Sequence, residues 1–285
     1  MKLVQDFKEY QIIDMSDGEK LETWGNVTLV RPDPQIIWED KNTDLWKDIN
    51  AVYKRSNTGG GAWDIKKKTP ESWVINYQDL KFNLKLMGFK HTGLFPEQAY
   101  NWNLIREKIR NADREINVLN LFAYTGAASV AALKEGASVV HVDSSRGMID
   151  WAKENVKVNN LEDKPIRFLV DDVRKFVKRE IRRGNKYDII IMDPPSFGRG
   201  NKNEVWSIES DLAELIKDTS ELLSDNPLLF VINSYTTGLS KTVLENLLYL
   251  NIKYEGLISS DELGIPMKDS KLILPCGIYA RWENK

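Results

Sequence analysis

Residues 189–197, IIIMDPPSF, place groups that could do chemistry at the end of a predicted buried strand. The Asp193 carboxylate and the Pro194 carbonyl can each accept a hydrogen bond, and neither proline offers a competing backbone N–H. Phe197 adds a ring against which a flat, unsaturated group can stack. The segment therefore predicts a site for a flat ligand whose ring carries an amine: the acceptors bind the amine, and Phe197 stacks on the ring. The structural alternative is a strand that ends in a stiff turn, with Phe197 packed beneath it.

Three further predicted strands also end in polar or flexible residues. NLFAYTGAAS (120–129) follows the first, HVDSS (141–145) contains the end of the second, and the third is followed by DDV (171–173). In an open parallel sheet, ligands bind beyond the carboxyl ends of the strands, where the strand order reverses. Asp143 is placed to accept from ribose hydroxyls, and Asp171 and Asp172 lie where an acid can accept from an adenine amine. The alternative for each acid is a helix N-cap.

The loop after the first strand favours one cofactor class over another. A dinucleotide site needs several glycines so that the pyrophosphate can approach the backbone. Only Gly126 is present in this loop, and larger residues fill the other places. S-adenosylmethionine has no phosphate and would tolerate such a loop. The sequence therefore predicts an S-adenosylmethionine site, with an NAD-dependent dehydrogenase as the disfavoured alternative.

The elements that must position these residues follow a regular alternation from about Asn117 onward. Apolar runs rich in Val, Ile and Leu alternate with amphipathic helices, which indicates a doubly wound α/β domain with a parallel sheet. At the end, two strands joined by DELGIPMKD (261–269) form a hairpin, so the last strand is antiparallel. Residues 1–90 show short alternating runs around Gly25 and at 80–87, which predict a small β-rich domain that could bind substrate. The predicted domains are 1–90 and 91–285.

These motifs together resemble the bacterial S-adenosylmethionine-dependent RNA methyltransferases related to 23S rRNA large-subunit methyltransferase I. The resemblance runs from KHTGLFPEQ (90–98) to the C-terminus and includes DPPSFGRG (193–200). It implies a class I methyltransferase sheet of seven strands and a catalytic site at Asp193, Pro194 and Phe197. It also implies three sets of cofactor contacts in the sheet: the methionine end is held by Phe122, Ala123, Tyr124, Thr125 and Gly126, the ribose by Asp143 and Ser144, and the adenine by Asp172 and Val173. A fourth set, Thr92, Phe95 and Gln98 with His91, is implied to lie over the cofactor. The alternative for that last segment is a strand-to-helix turn with Pro96 in the first helical position.

The resemblance also raises the question of which atom is methylated. The type member of the family makes 5-methylcytosine, which requires a cysteine thiolate to add to the ring. In this chain Ser234 and Tyr235 stand where such relatives carry cysteine, and the only thiol is Cys276 in the last predicted strand. We therefore expect methylation of a base nitrogen in RNA, most plausibly ribosomal RNA. The alternatives are cytosine C5, a protein or small-molecule acceptor, and a cofactor-binding module without catalysis.

Composition limits the partners and the setting. The formal net charge is −2, so nucleic acid must be bound by a local patch of positive charge. The predicted phosphate contacts are Lys66, Lys67, Lys68, Arg199 and Lys202. The basic run at 178–183 is expected to be a solvated helix face. A single cysteine and the lack of a long apolar run predict a cytoplasmic protein that does not bind membranes. Five of the nine tryptophans lie within the first 73 residues, where they could contact RNA or form a homodimer.

Overall fold

The computed structural model describes residues 1–56, 60–199 and 205–285, and Arg199 only by its backbone. Chain contacts divide the protein into two units. The α/β unit comprises residues 1–2, 100–263 and 277–285, and the β unit comprises residues 3–99 and 264–276. No helix in the described part of the chain is long and apolar enough to cross a membrane.

The main sheet of the structure has the order β1-β16-β17-β15-β12-β9-β10-β11. Its strands are β1 (Lys2–Leu3), β9 (Asn117–Leu121), β10 (Ser138–Asp143), β11 (Ile166–Val170), β12 (Ile189–Met192), β15 (Leu229–Ser234), β16 (Leu257–Pro266) and β17 (Ile273–Glu283). Strands β9, β10, β11, β12 and β15 are parallel to one another, whereas β17 is antiparallel to β15. The predicted class I sheet with a reversed last strand is confirmed. Its expected number of seven strands increases to eight because the N-terminal strand β1 is added beside β16.

Within the described residues, six α-helices accompany these strands: α1 (Ala99–Arg110), α2 (Ala127–Lys134), α3 (Arg146–Val158), α4 (Val173–Arg183), α5 (Ile208–Ser220) and α6 (Lys241–Asn251). Every residue of β12 and β15 is buried, as expected for parallel strands covered on both faces. Phe176 of α4, Leu215 of α5 and Leu244 of α6 pack in one core with Ile190 and Phe230 of these strands. This core fixes the strand ends at which the polar residues lie.

The β unit contains a five-stranded sheet and a separate hairpin. The sheet order is β2-β3-β4-β5-β6, with β2 (Tyr10–Ser16), β3 (Glu19–Trp24), β4 (Val27–Pro32), β5 (Ala51–Arg55) and β6 (Gly61–Ile65); the hairpin pairs β7 (Ser72–Tyr77) with β8 (Leu80–Lys85). The predicted turn at Gly25 is confirmed, because this residue has φ +62° between β3 and β4. Leu80, Phe82 and Leu84 are buried on one face of β8, as their alternation predicted.

Two sequence-based boundaries differ from the structure. The β unit extends past residue 90 to Ala99 and includes 264–276, because the turn after β16 pairs with the N-terminal sheet: Lys268 N donates to Ile12 O (2.8 Å). The predicted loop 261–269 is wrong in its first part, since Leu263 and Ile265 are buried and β16 continues to Pro266. Both differences arise from pairing between residues that are distant in the sequence.

Candidate cofactor and acceptor site

The carboxyl ends of five strands lie in register at one edge of the main sheet. Leu121 of β9 pairs with Val142 of β10 on one side and with Met192 of β12 on the other. Asp143 is level with Val170 of β11, and Met192 is level with Ile232 of β15. The strand order reverses at β9, whose neighbours β10 and β12 lie on opposite sides. This is the position at which open α/β sheets bind their ligands.

The segment from Phe122 to Gly126, here called the cofactor loop, has an unusual backbone. Phe122 and Tyr124 have φ values of +53° and +50°, and Gly126 has +83°. The left-handed region costs a residue with a Cβ about 1–2 kcal/mol, so surrounding contacts must hold the loop in place. Ala123 N donates to Val142 O (3.0 Å), and the buried Asn155 side chain donates to Thr125 O (2.8 Å). The loop is therefore held from both β10 and α3.

Gly126 is required in this loop by space as well as by backbone angle. A Cβ at this position would lie 3.0 Å from Ala152 Cβ and 3.2 Å from His141 Cε1. Either neighbour would have to move to accept a larger residue. Gly126 thus gives the close contact between the cofactor loop, β10 and α3.

Asp143 orders the cofactor loop through its carboxylate. One oxygen accepts from Tyr124 N (2.9 Å) and the other from Ser145 N (2.8 Å). Burial raises the pKa of Asp143, while these two amide donors act in the opposite direction. Each carboxylate oxygen has a further lone pair that can accept from a hydroxyl. Ser144 beside it is exposed.

A buried polar network that the sequence analysis missed lies beneath the same loop. His141 is fully buried, and its Nδ1 lies 2.9 Å from Ser129 Oγ, which also accepts from the Asn120 amide (2.9 Å). Burial lowers the pKa of His141 to about 3, so the imidazole is neutral at neutral pH. The available signal was the presence of Asn120 and His141 in two otherwise apolar strands.

The residues after β11 have structural partners. Asp172 caps α4, where its carboxylate accepts from Lys175 N (2.9 Å), so the N-cap alternative is confirmed for this residue. Asp171 is paired with Arg179. Val173 is 4% exposed and packs in the core, so its side chain is not available to a ligand. Asp172 retains a second carboxylate oxygen that can contact an adenine amine.

Residues 193–197, here called the acceptor loop, follow β12 at the reversal of the sheet. Asp193 N donates to Leu121 O (3.4 Å), which fixes the start of this loop beside β9. Further along, Ile208 N donates to Ser196 O (3.0 Å), and Ser196 Oγ lies 2.7 Å from Thr236 Oγ1. Pro194 is buried, whereas Phe197 is 57% exposed. The alternative in which Phe197 is packed beneath the loop is therefore wrong.

The acceptor loop leads into a short hairpin that the sequence analysis did not predict. Strand β13 (Phe197–Arg199) pairs antiparallel with β14 (Val205–Ser207). Trp206 donates its indole N–H to Pro195 O (2.6 Å), and its ring centroid lies 5.3 Å from that of Phe122. The Arg199 side chain and Lys202, both predicted to contact substrate, lie outside the described residues.

The remaining predicted cofactor contacts, Thr92, Phe95 and Gln98, belong to the β unit. Thr92 is fully buried, and its hydroxyl has no hydrogen-bond partner among the described residues. Phe95 stacks near His91, with ring centroids 5.0 Å apart, and burial lowers the pKa of His91 to about 3. Pro96 begins a 3-10 turn (Pro96–Gln98) immediately before α1, so the strand-to-helix turn is present.

Most of the predicted basic residues in the described part of the chain have acidic partners. Lys66 lies 2.8 Å from Asp64, and Lys67 is paired with Asp48. Lys68 is exposed. On α4, Lys178 lies 2.9 Å from Glu214. Surface pairs of this kind contribute little to stability and leave the cations accessible to phosphate.

Neither residue considered as a substitute nucleophile is activated. Cys276 belongs to the β unit, and burial, with a smaller effect from Glu97, raises the pKa of its thiol well above the ordinary value. Ser234 is 1% exposed and accepts a hydrogen bond from Thr236 N (3.2 Å). A high thiol pKa disfavours the thiolate that attack on a pyrimidine carbon needs.

Comparison with known proteins identifies the class to which this site belongs. The family of S-adenosylmethionine-dependent methyltransferases matches residues 50–247, and the chain is a member of that family. A solved S-adenosylmethionine-dependent methyltransferase from Agrobacterium tumefaciens has a TM-score of 0.95 and 36% identity, covering 99% of this chain and 93% of that one. A putative methyltransferase solved in complex with SAH, at 22% identity and a TM-score of 0.74, covers 98% of this chain and 76% of its own and shares the fold.

Curated relatives are named as ribosomal RNA methyltransferases. The protein called ribosomal RNA large subunit methyltransferase K/L from Shewanella frigidimarina is 38% identical over 156 residues, which cover 54% of this chain and 21% of that protein. Its namesake from Colwellia psychrerythraea is 29% identical over 202 residues, covering 70% of this chain and 27% of that protein. The match therefore spans about a quarter of these longer relatives. The predicted membership of the S-adenosylmethionine-dependent methyltransferases is confirmed, and S-adenosylmethionine is the cofactor of the protein.

The residues at the strand ends fit this cofactor. The cofactor loop has one glycine, which suits a ligand without phosphates, and Asp143 can accept from ribose hydroxyls while it holds Tyr124 N. Asp172 follows the next strand of the sheet, where an adenine amine can be bound.

Proposed function

We propose that the protein transfers the methyl group of S-adenosylmethionine directly to a nitrogen atom of an RNA base. The observation that carries this proposal is the exposed ring of Phe197, four residues after Asp193, in the loop that follows β12 where the sheet reverses. S-adenosylmethionine supplies a methyl group on a positively charged sulfur, so the donor is already activated. The chain's own residues therefore need mainly to position the acceptor.

The acceptor loop has the groups for that positioning. The Asp193 carboxylate and the Pro194 carbonyl accept hydrogen bonds from the amine of the base, which directs a nitrogen lone pair toward the methyl carbon. Phe197 stacks on the face of the base, an interaction of about 1–3 kcal/mol. Ser196 and its partner Thr236 hold the loop so that these groups keep their places.

The thiol chemistry of the chain supports nitrogen over carbon as the acceptor atom. Methylation at cytosine C5 needs a thiolate that adds to the ring before the methyl group is accepted. The chain has one cysteine, Cys276, whose pKa is raised by burial. The hydroxyl of Ser234 is too weakly acidic to replace a thiolate and is buried. An amine or ring nitrogen needs no such nucleophile.

Two observations favour RNA over a protein or a small molecule. The relatives from Shewanella and Colwellia are named for methylation of ribosomal RNA. Phe197 also presents an aromatic surface, which binds bases whatever their identity. Lys66, Lys67 and Lys68 are exposed in the β unit and can contribute phosphate contacts, as proposed for Arg199 and Lys202.

The test is methyl transfer from labelled S-adenosylmethionine to total RNA, with and without RNase. Label in RNA that disappears after RNase treatment supports the proposal, whereas RNase-resistant label in protein contradicts it. Phe197→Leu is expected to lower kcat/KM for RNA by about 5- to 150-fold, the equivalent of about 1–3 kcal/mol of stacking.

The matched control for this variant is Tyr249→Leu, which removes another exposed ring, 74% accessible on α6. Equal loss of activity in both variants would remove the role of Phe197. Retention of cofactor binding by Phe197→Leu in calorimetry separates loss of the acceptor contact from loss of the cofactor.

A further inference from the structure

Trp206 contacts both loops of the site, although neither the cofactor nor the acceptor chemistry assigns it a role. Its side chain is 6% exposed in β14. The indole N–H donates to Pro195 O (2.6 Å) in the acceptor loop. Its ring lies 5.3 Å from the Phe122 ring in the cofactor loop, at an interplanar angle of 52°. One side chain therefore joins the two parts of the site.

The hairpin places Trp206 on the opposite face from the exposed apolar side chains. Trp206 pairs with Gly198, so both lie on the buried face of the two strands. Side chains alternate along a strand, which puts Phe197 and Val205 on the other face. These two are 57% and 52% exposed. The buried indole thus supports a surface that presents Phe197.

Arg174 fixes the hairpin from α4. Its guanidinium donates to Val205 O (2.8 Å), lies 3.2 Å from the Asp211 carboxylate, and is 6.0 Å from the centre of a Trp206 ring. The second strand of the hairpin is therefore attached to α4 and α5. Movement of Trp206 relative to the core would have to break these contacts.

We propose that Trp206 is a positioning residue that couples the acceptor loop to the cofactor loop. Its N–H holds the Pro195 carbonyl and thereby the preceding Asp193-Pro194 pair, while its ring packs against Phe122. When cofactor binding reduces the mobility of the cofactor loop, the contact between the Phe122 ring and the indole reduces the mobility of the hairpin as well. The coupling itself does not depend on the identity of the acceptor, whereas its kinetic consequence rests on the proposed function.

Hydrogen exchange of the 285-residue protein tests the coupling without an acceptor. Adding S-adenosylmethionine to the wild type is expected to slow exchange in the cofactor loop and also at residues 196–199 and 205–207. In Trp206→Phe, which keeps a ring but loses the N–H, slowing in the cofactor loop persists and slowing in the hairpin is lost. Unchanged slowing of the hairpin in this variant overturns the proposal.

Kinetics provide a second readout that a general loss of stability would not reproduce. Trp206→Phe is expected to lower kcat about 10- to 100-fold while the Kd for S-adenosylmethionine stays within about twofold, because the loop is misplaced and the cofactor is not. Trp206→Leu, which also removes the ring from Phe122, is expected to weaken cofactor binding as well. If Trp206→Phe loses as much cofactor affinity as Trp206→Leu, the N–H and the ring do not have separate roles, and this part of the proposal is contradicted.

The matched control is Trp282→Phe, which removes an indole N–H bond to Tyr254 O (3.2 Å) from a buried tryptophan of the same unit. This control is expected to keep both the kcat and the exchange response, and an equal loss in the two variants rejects a specific role for Trp206. If Trp206→Phe does not fold, Arg174→Gln loosens the same hairpin and must reduce its exchange response. If the wild type does not methylate RNA, the proposed function fails while the exchange experiment still decides the coupling.

Discussion

The buried histidine beneath the cofactor loop makes a quantitative prediction about pH and stability. The imidazole of His141 is fully buried beside Ser129, and burial lowers its pKa to about 3. In the unfolded chain a histidine has a pKa of about 6.5. Below pH 6.5 the unfolded chain therefore takes up a proton that the folded protein excludes. The stability associated with neutral His141 is fully present above pH 6.5 and is lost as the pH falls toward 3.

Proton linkage gives the size of this effect. With no proton bound in the folded state and one in the unfolded state, the unfolding free energy falls by about 1.4 kcal/mol per pH unit once the pH is well below 6.5. Integrated from pH 8 to pH 5, the loss is about 2 kcal/mol. In His141→Asn, which cannot titrate, this contribution is absent.

The assay is urea unfolding of the wild type and His141→Asn at several pH values. Other titrating groups are common to both proteins and cancel in the difference. The wild type is expected to be more stable at pH 8, where it keeps its packing and its Ser129 hydrogen bond. The difference in unfolding free energy between the wild type and His141→Asn should be constant above pH 7.5 and fall by about 2 kcal/mol by pH 5. A difference that does not change with pH would show that His141 titrates normally and refute the neutral buried state.

Three further predictions concern the cofactor loop, the thiol and the β unit. Gly126→Ala is expected to weaken S-adenosylmethionine binding about 5- to 30-fold in calorimetry, because the new side chain adds about 1–2 kcal/mol of backbone strain and a close contact with Ala152. The control is Gly136→Ala: Gly136 has φ +90° but open space around it, so this variant should leave binding unchanged. Cys276→Ala is expected to keep full methyl transfer in the labelled-cofactor assay, and loss of transfer with cofactor binding intact would overturn the preference for nitrogen. Glu22→Gln is expected to lower the unfolding free energy by about 3–5 kcal/mol in urea titration, because Glu22 is 0% exposed and Arg31 would keep a buried charge without its carboxylate partner; a change below about 1 kcal/mol would contradict this.

The parallel part of the main sheet could be predicted because the local patterns of its strands agree with their pairing. The apolar runs of β9, β10, β12 and β15 are long enough to identify buried parallel strands, and their ends locate the cofactor loop and the acceptor loop. The interval from Gly126 to Asp143 spans helix α2 and strand β10, so the sequence could place the two residues at the ends of neighbouring strands, while their contacts with the cofactor stay a prediction.

The features that sequence reasoning missed depend on contacts between distant residues. Trp206 is 11 positions from Pro195, and its role depends on a hairpin of two three-residue strands, which are too short to show alternation. His141 looks like an isolated polar residue in a strand until the fold places Ser129 beside it. Residues 264–276 join the β unit through bonds to residues near the N-terminus, among them the pairing of Met267 with Ile12, which the local sequence does not show.

Mass spectrometry of nucleosides tests the central claim most directly. Ribosomal RNA is incubated with the 285-residue protein and S-adenosylmethionine that carries an isotopically labelled methyl group, then digested to nucleosides. The account predicts label on a base nitrogen, absent from the Asp193→Ala reaction. Label in 5-methylcytosine, or full labelling by Asp193→Ala, would contradict it.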